Sequence, residues 1–227
     1  MARVQMSAPP PFTLFIATRN AHKVGEIQAI LGERFRYATL NDLPGAPKIV
    51  EDAPTFAGNA TKKAVELARW LAAGISNLKS QISNLRWVLA DDSGLEVDAL
   101  NGAPGVHSAR FAALDTGSPG NSLDADNNAK LLRMLNGLPP EKRKARFRCV
   151  IALFEIHPPT SIAEPQIFDG VCEGRIGFGP RGYNGFGYDP LFVPDGFEQT
   201  FAELGEDVKN RLSHRARALQ KLKASLR

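Results

Sequence analysis

Two neighbouring carboxylates, Asp91 and Asp92, follow directly on the apolar run Trp87-Val88-Leu89-Ala90, and Ser93-Gly94 come next. A run of that length and character reads as a buried strand. Adjacent carboxylates at the end of such a strand repel each other and lose hydration. A fold keeps them most readily where a metal ion or a proton-transfer task compensates. An ordinary turn built from Asp, Ser and Gly is the competing reading. Gly102, Pro104 and Gly105 then turn the backbone and bring His107, Ser108 and Arg110 back toward the pair. A second acidic pair, Glu51-Asp52, stands before a helical pattern, where a solvated carboxylate is also stabilised by the helix dipole.

Phosphate chemistry is the natural reading of Thr18-Arg19-Asn20-Ala21-His22-Lys23, a polar segment between an apolar run and a helix. Free N–H groups and the positive end of a helix dipole collect there. Thr18 and Asn20 can add hydrogen bonds and Lys23 a compact positive charge, although Asn20 also suits a plain N-cap. Pro180 to Pro190 reads PRGYNGFGYDP. Its glycines allow close backbone approach to a ligand, and Phe186 and Tyr188 offer flat faces of the kind that stack on bases. A glycine-rich turn with two core aromatics competes with that. Near the end of the chain, Ser213 is placed to cap a helix with His214 and Arg215 in its first turn. Cations there oppose the dipole, so they are expected to face something negative or an acceptor.

The elements that must hold these groups can be read around them. Phe12–Ala17 is a short buried strand, and Val24, Ile27, Ile30 and Leu31 form one helical face after it. Phe35–Leu40 and Ile49-Val50 read as short strands. A helix over about Thr55 to Ala72 buries Ala60, Ala64, Leu67, Ala68 and Leu71, with Asn59 and Lys63 one turn apart near its start. Ile75-Ser76-Asn77-Leu78-Lys79 recurs as Ile82-Ser83-Asn84-Leu85-Arg86, a two-copy repeat expected to be an inserted helical or loop excursion at about 75–86. Asn127–Leu138 is helical with Leu131, Met134, Leu135 and Leu138 inward. Arg146–Phe154 and Ile167–Arg175 are partner strands, separated by a loop carrying His157.

The totals bound the rest. At 227 residues, 43% hydrophobic and 23% charged, the chain suits one large α/β domain or two small ones. No apolar run approaches the ~20 residues of a membrane span. Met1–Pro11, with three consecutive prolines and no apolar core, is expected to be a disordered lead-in and not a secretory signal. Cys149 and Cys172 lack metal-site spacing and read as buried, reduced thiols. The net charge of +4 is small, and its densest cluster, Lys142-Arg143-Lys144 with Arg146 and Arg148, reads as a solvated basic edge in preference to a DNA groove, with steering of a polyanionic small substrate an equal fit.

Each motif is weak alone, but ATRNAHK, ED, ADDSGLEV, NGAPGVHSARF, GFGYDPLF and SHRARAL occur together in this order. In this the chain resembles the inosine/xanthosine triphosphate pyrophosphatase family from about Phe12 to Leu222, outside the 75–86 insert and the Pro158–Pro165 loop. The resemblance implies an α/β fold: a long, twisted, mixed sheet with helices around it and two lobes flanking a central cleft, in one domain over residues 12–227. It implies a cytoplasmic homodimer that uses Mg2+ to convert ITP, dITP or XTP to the monophosphate and pyrophosphate. On that resemblance Asp92 is the catalytic carboxylate and, with Glu51, a metal ligand. Thr18, Arg19, Asn20, Ala21, His22 and Lys23 form the phosphate loop, and Ser93 is a substrate contact. Phe186, Gly187, Tyr188, Asp189, Lys209, His214 and Arg215 bind the nucleoside.

Elementary chemistry agrees with that assignment. Mg2+ needs only one or two carboxylates besides phosphate oxygens. A carboxylate such as Asp92 can orient or deprotonate a water, and Lys23 can stabilise charge developing on phosphate. Asp91 is either a second ligand or a group that tunes Asp92. A donor from Lys209, Arg215 or backbone aimed at purine position 6 would favour a keto group over adenine's amino group. Arg19 stands where the family often has a small residue, and Gly58 where it often has Glu. The rival readings are a Maf-type nucleotide pyrophosphatase with another base preference, or a nucleic-acid-binding protein using Lys142–Arg148 with Phe186 and Tyr188. The latter leaves Glu51, Asp91 and Asp92 unexplained.

Overall fold

The structure, a computed structural model, describes residues 12–78, 82, 84–156 and 164–226. The Met1–Pro11 lead-in, His157 and most of the loop that follows it lie outside the described residues. Six strands form one mixed sheet in the order β2-β1-β3-β4-β5-β6. They are β1 (Thr13–Ile16), β2 (Arg36–Thr39), β3 (Leu85–Val97), β4 (Lys144–Glu155), β5 (Gln166–Ile176) and β6 (Phe192–Pro194). The β2-β1-β3 half is parallel and the β3-β4-β5-β6 half antiparallel. Around the sheet lie α1 (Ala21–Leu31), α2 (Phe56–Leu78), α3 (Asp124–Met134), α4 (Phe201–Leu204), α5 (Glu206–Leu212) and α6 (His214–Ser225).

The long strand β3 ties the two halves together and differs from expectation in an informative way. Asp91-Asp92-Ser93-Gly94 do not turn away from a strand; they are its middle, paired in register with Ile151, Val150, Cys149 and Arg148 of β4. Strand β1, by contrast, stops opposite Leu89. From Ala90 onward one edge of β3 therefore lacks its parallel neighbour until the bridge from Glu96 to Pro104. Ligand clefts in α/β sheets open outside the carboxyl ends of parallel strands. Here the two carboxylates sit at that opening.

Packing on the faces fixes the surrounding helices. The α2 stripe Ala60, Ala64, Leu67, Ala68 and Leu71 is buried as its periodicity predicts, and its alanines let the helix approach β3 and β4 closely. On the opposite face Ile27 and Leu31 of α1 meet Leu219 and Leu222 of α6. At Gly170 of β5 an added Cβ would lie 2.0 Å from the His214 carbonyl oxygen and 2.6 Å from the Ala218 nitrogen. A glycine there lets the start of α6 rest on the sheet, which seats His214 and Arg215.

Several boundaries differ from those read in the sequence. Ile49-Val50 forms no strand, and Val50 is exposed. The first repeat copy does extend α2, to Leu78, but the second does not continue it: Ile82 packs into the core and Leu85 begins β3. Met134, expected inward, is exposed because α3 ends there and turns its Leu131 side to the core. Arg143 is no solvated edge. It is buried and donates to the carbonyls of Leu135, Ile176 and Gly177, which takes the centre of the basic cluster away from any polyanion.

Candidate active site

Strand β1 ends in the polar loop that the sequence places before α1. Asn20 is the N-cap of α1, its Oδ1 accepting from the Lys23 N–H at 3.2 Å, and Thr18 Oγ1 accepts from the Asn20 N–H at 3.1 Å. Ala21, His22 and Lys23 form the first turn of α1 instead of preceding it. Thr18, Arg19, Asn20 and Lys23 line a cavity of about 390 Å³ together with Glu51, Lys63, Asp91, Asp92, Ser93 and Arg110. Ala21 and His22 lie outside that lining and face a second hollow beside Phe186.

Asp91 and Asp92 divide the site between the two faces of β3, as successive strand residues must. The Asp91 carboxylate is buried against the Lys23 ammonium and against Arg215, whose Nε lies at 2.9 Å, and it accepts from Ser93 Oγ at 3.1 Å and Cys149 Sγ at 3.0 Å. Burial alone would raise its pKa, but Arg215 and Lys23 outweigh it and hold the carboxyl well below the usual range. With its oxygens so engaged, Asp91 is the hub of a buried charge network. Cys149 is buried as expected, and burial with Asp91 beside it pushes its thiol far up, so it stays protonated.

Asp92 faces α2. Its Oδ2 accepts from Asn59 Nδ2 at 3.0 Å, and its Oδ1 lies 3.8 Å from Lys63 Nζ. Burial pushes this carboxyl up to about 6 against the pull of Lys63, Lys23 and Asn59. Lys63 Nζ also meets Glu51 Oε2 at 2.9 Å and the Asp91 carbonyl at 2.8 Å. One ammonium thus draws together Glu51 and Asp92, the two carboxylates assigned to a metal. No group of three or more His, Cys, Asp or Glu side chains suited to a metal occurs among the described residues. A hard cation would therefore share these two acids with ligand oxygens, the arrangement Mg2+ favours. At Gly58 an added Cβ would sit 2.7 Å from that of Ala53, so glycine fits the tight entry to α2.

A neighbouring cavity of about 170 Å³ is lined by Phe186, Gly187, Tyr188, Asp189, Lys209, His214 and Arg215, and it shares Asn20, Lys23 and Ser93 with the phosphate cavity. The structure thus brings the predicted nucleoside residues together, but with divided duties. Phe186 stacks on His22 with centroids 5.3 Å apart and lies under Lys209 Nζ at 4.3 Å. Tyr188 offers no free face for stacking: it is packed in the core, and its hydroxyl donates to the Ser108 carbonyl at 2.9 Å. Asp189 is likewise internal, accepting from the Phe186 N–H at 2.8 Å and from Lys209 Nζ at 2.6 Å.

Arg215 also serves the framework more than a ligand. Besides Asp91 it donates to Ser93 Oγ at 2.9 Å and to the Glu26 carboxylate, which in turn binds Lys209 at 2.8 Å. The cationic first turn of α6 therefore does face negative charge, as anticipated, but that charge belongs to the protein. His214 keeps an unmet valence. Its ring stacks on Phe147 at 4.8 Å, its Nδ1 has no partner among the described residues, and burial together with Arg215 and Lys209 keeps it neutral. A buried, neutral imidazole nitrogen facing a cavity can accept or donate one bond.

Glu26 carries the clearest role absent from the sequence reading. It stands three residues after Lys23 on α1, a same-face spacing that was a usable signal. Asn59 and Lys63 were noticed without a role. Ser108 closes the other side: its Oγ donates to the Gly105 carbonyl at 2.6 Å and accepts from the Leu95 N–H at 2.9 Å, holding the 105–110 turn against β3.

Comparison with known proteins accords with this geometry. The model of the Ham1 family matches residues 14–225. A dITP/XTP pyrophosphatase of Shouchella clausii is 46% identical over 213 residues, covering 94% of this chain and 96% of that protein. A dITP/XTP pyrophosphatase of Opitutus terrae is 43% identical over 216 residues, covering 92% of this chain and 96% of the relative. Among solved structures, a HAM1 protein of Coxiella burnetii superposes with a TM-score of 0.75 at 38% identity, covering 95% of this chain and 98% of its own. With the family's model spanning nearly the whole described sheet and its helices, the chain belongs to the Ham1 family.

Proposed function

We propose that this protein hydrolyses non-standard purine nucleoside triphosphates, ITP, dITP and XTP, to the monophosphate and pyrophosphate. The observation that carries the reading is Asp92, a buried carboxylate bound to Asn59 and flanked by Lys63 and Glu51, on the wall of a cation-lined cavity that shares Asn20, Lys23 and Ser93 with an aromatic pocket. The names of the relatives point the same way.

In this reading the base enters beside Phe186 and the triphosphate runs past Asn20, Lys23 and Ser93 into the larger cavity. Glu51 and Asp92 would hold Mg2+, which when bound neutralises charge on the phosphates. Asp92 accepts a proton from water as the water oxygen bonds to the α-phosphorus. The bond from that phosphorus to the bridging oxygen breaks, and pyrophosphate leaves with the electron pair. Lys23 offsets charge on the phosphate oxygens, and the Asp91–Arg215 pair keeps Lys23 and Ser93 in place. Selection for a 6-keto purine falls to the groups with capacity left, His214 Nδ1 and the Lys209 ammonium. Asp91 tunes the site and binds no metal. Homodimeric assembly and a cytoplasmic location complete the proposal. No helix among the described residues is long and apolar enough to cross a membrane.

The test is pyrophosphate release from ITP, XTP, dITP, GTP, ATP, dTTP and UTP, with and without Mg2+. Metal-dependent preference for the first three is the expected result. Preference for pyrimidine nucleotides would move the protein to the Maf-type activity, and release from none would refute the reading.

A further inference from the structure

The cations around the phosphate cavity are not equivalent. Lys23 is neutralised by Asp91, and Lys63 by Glu51 with Asp92 nearby. Arg110 lines the same cavity and has no carboxylate partner among the described residues; its one contact there is Nη2 at 3.5 Å from the Glu51 carbonyl. The turn that carries it is held from several sides. Ser108 is bonded to Gly105 and Leu95, and Tyr188 donates to the Ser108 carbonyl. Asn127 Nδ2 and the Ser122 N–H both donate to the carbonyl of Ala109, the residue before Arg110. A half-buried guanidinium on so fixed a support, with its charge unmet, is pre-organised for an anion.

Its place along the cleft says which anion. Ala109 borders both cavities, whereas Arg110 borders only the phosphate cavity, where its guanidinium lies beside the Glu51 backbone on the side away from the aromatic pocket's own lining. The portion of a nucleotide beyond the reacting phosphorus is the leaving pyrophosphate. A planar fork of N–H donors matches two oxygens of such a group, which a lysine ammonium does not. We infer that Arg110 is a substrate-binding residue that grips the leaving pyrophosphate. This rests on the pyrophosphatase reading for the identity of the substrate, but its test does not require turnover.

The test is calorimetric titration of Mg-pyrophosphate, and separately of IMP, into the full chain and its Arg110→Ala and Arg110→Lys variants, with thermal melts confirming that each is folded. Pyrophosphate affinity should fall about tenfold or more in Arg110→Ala, less in Arg110→Lys, while IMP affinity stays within about twofold. Unchanged pyrophosphate affinity in Arg110→Ala, an equal loss for IMP, or no pyrophosphate binding by the unaltered chain would overturn the inference. Absence of triphosphate hydrolysis with the pyrophosphate effect intact would overturn the activity and leave the anion site standing.

Discussion

Asp91 and Asp92 are sequence neighbours on one strand whose carboxylates meet opposite partners: Lys23 and Arg215 for the first, Asn59 and Lys63 for the second. The pleat separates them, and the Lys63 ammonium bridges the two residues by meeting the Asp91 carbonyl and approaching the Asp92 carboxylate. One is held ionised by two buried cations, and the other is pushed toward neutrality by burial. Two adjacent acids thereby acquire the different protonation behaviour that a structural anchor and a proton acceptor require.

For Asp92 the linkage has a definite sign. Its folded pKa of about 6 exceeds its ordinary value of 3.8, so the folded state is favoured below about pH 4 and that advantage is lost as pH rises through 6. Above pH 6 the ionised side chain costs the metal-free chain roughly 3 kcal/mol. Asp92→Asn should therefore abolish turnover yet raise the thermal midpoint in chelator at pH 8 by several degrees, with the gain shrinking toward pH 4. Near-normal turnover in the variant would remove Asp92 from the mechanism, and a lower midpoint at pH 8 would contradict the burial argument.

Asp91→Asn should do the reverse. It leaves Arg215, 1% exposed, and Lys23 short of their shared counter-charge, so stability at pH 7 should fall by about 3–5 kcal/mol in urea denaturation. Because the folded carboxyl titrates well below 3.8, its contribution is present above that pH and lost as the pH falls further. The gap between variant and parent should then narrow in acid. A variant as stable as the parent at pH 7 would show that Asp91 does not anchor this network.

These contrasts mark where sequence legibility stopped. The order of motifs led to Asp92, Glu51, the phosphate loop and the aromatic segment, because each is a local pattern with local chemistry. The helical stripe of α2 was equally legible through its period. What joins Asp91 to Lys23 and Arg215 spans 68 and 124 residues, and no local pattern reports it. The same distance hid Tyr188's burial against Ser108 and the saturation of Arg215 by Glu26. Asp91 to Gly94 were read as a possible turn from residue preference. In the fold their side chains find partners on both faces while their backbone pairs with β4, and tertiary contacts override propensity.

Gly94 should tolerate no side chain. An added Cβ would lie 2.4 Å from both the Gly105 carbonyl oxygen and Ser108 Oγ. Gly94→Ala must push the 105–110 turn outward, carrying Arg110 away from the cavity, at a stability cost of about 1–3 kcal/mol. Ser108→Ala should not rescue it, since the Gly105 carbonyl is backbone. Full hydrolysis by Gly94→Ala together with parental stability would show that the turn need not sit where it does.

Glu26 offers the sharpest separation of base recognition from phosphate handling. It binds Lys209 at 2.8 Å and Arg215 through its second oxygen, so it fixes two cations of the nucleoside pocket from the helix that begins in the phosphate loop. Burial raises its pKa, but the two cations together prevail and keep it ionised. Glu26→Gln removes that charge with little change of shape, leaving Asp189 and Asp91 as the carboxylates that pair with Lys209 and Arg215. Lys209 and the first turn of α6 should then lose their fixed aim. The ratio of kcat/KM for ITP over ATP should drop about tenfold, while Mg-pyrophosphate affinity, read at Arg110, stays within about twofold. A uniform loss for both nucleotides with weaker pyrophosphate binding would instead make Glu26 part of the phosphate loop's own support.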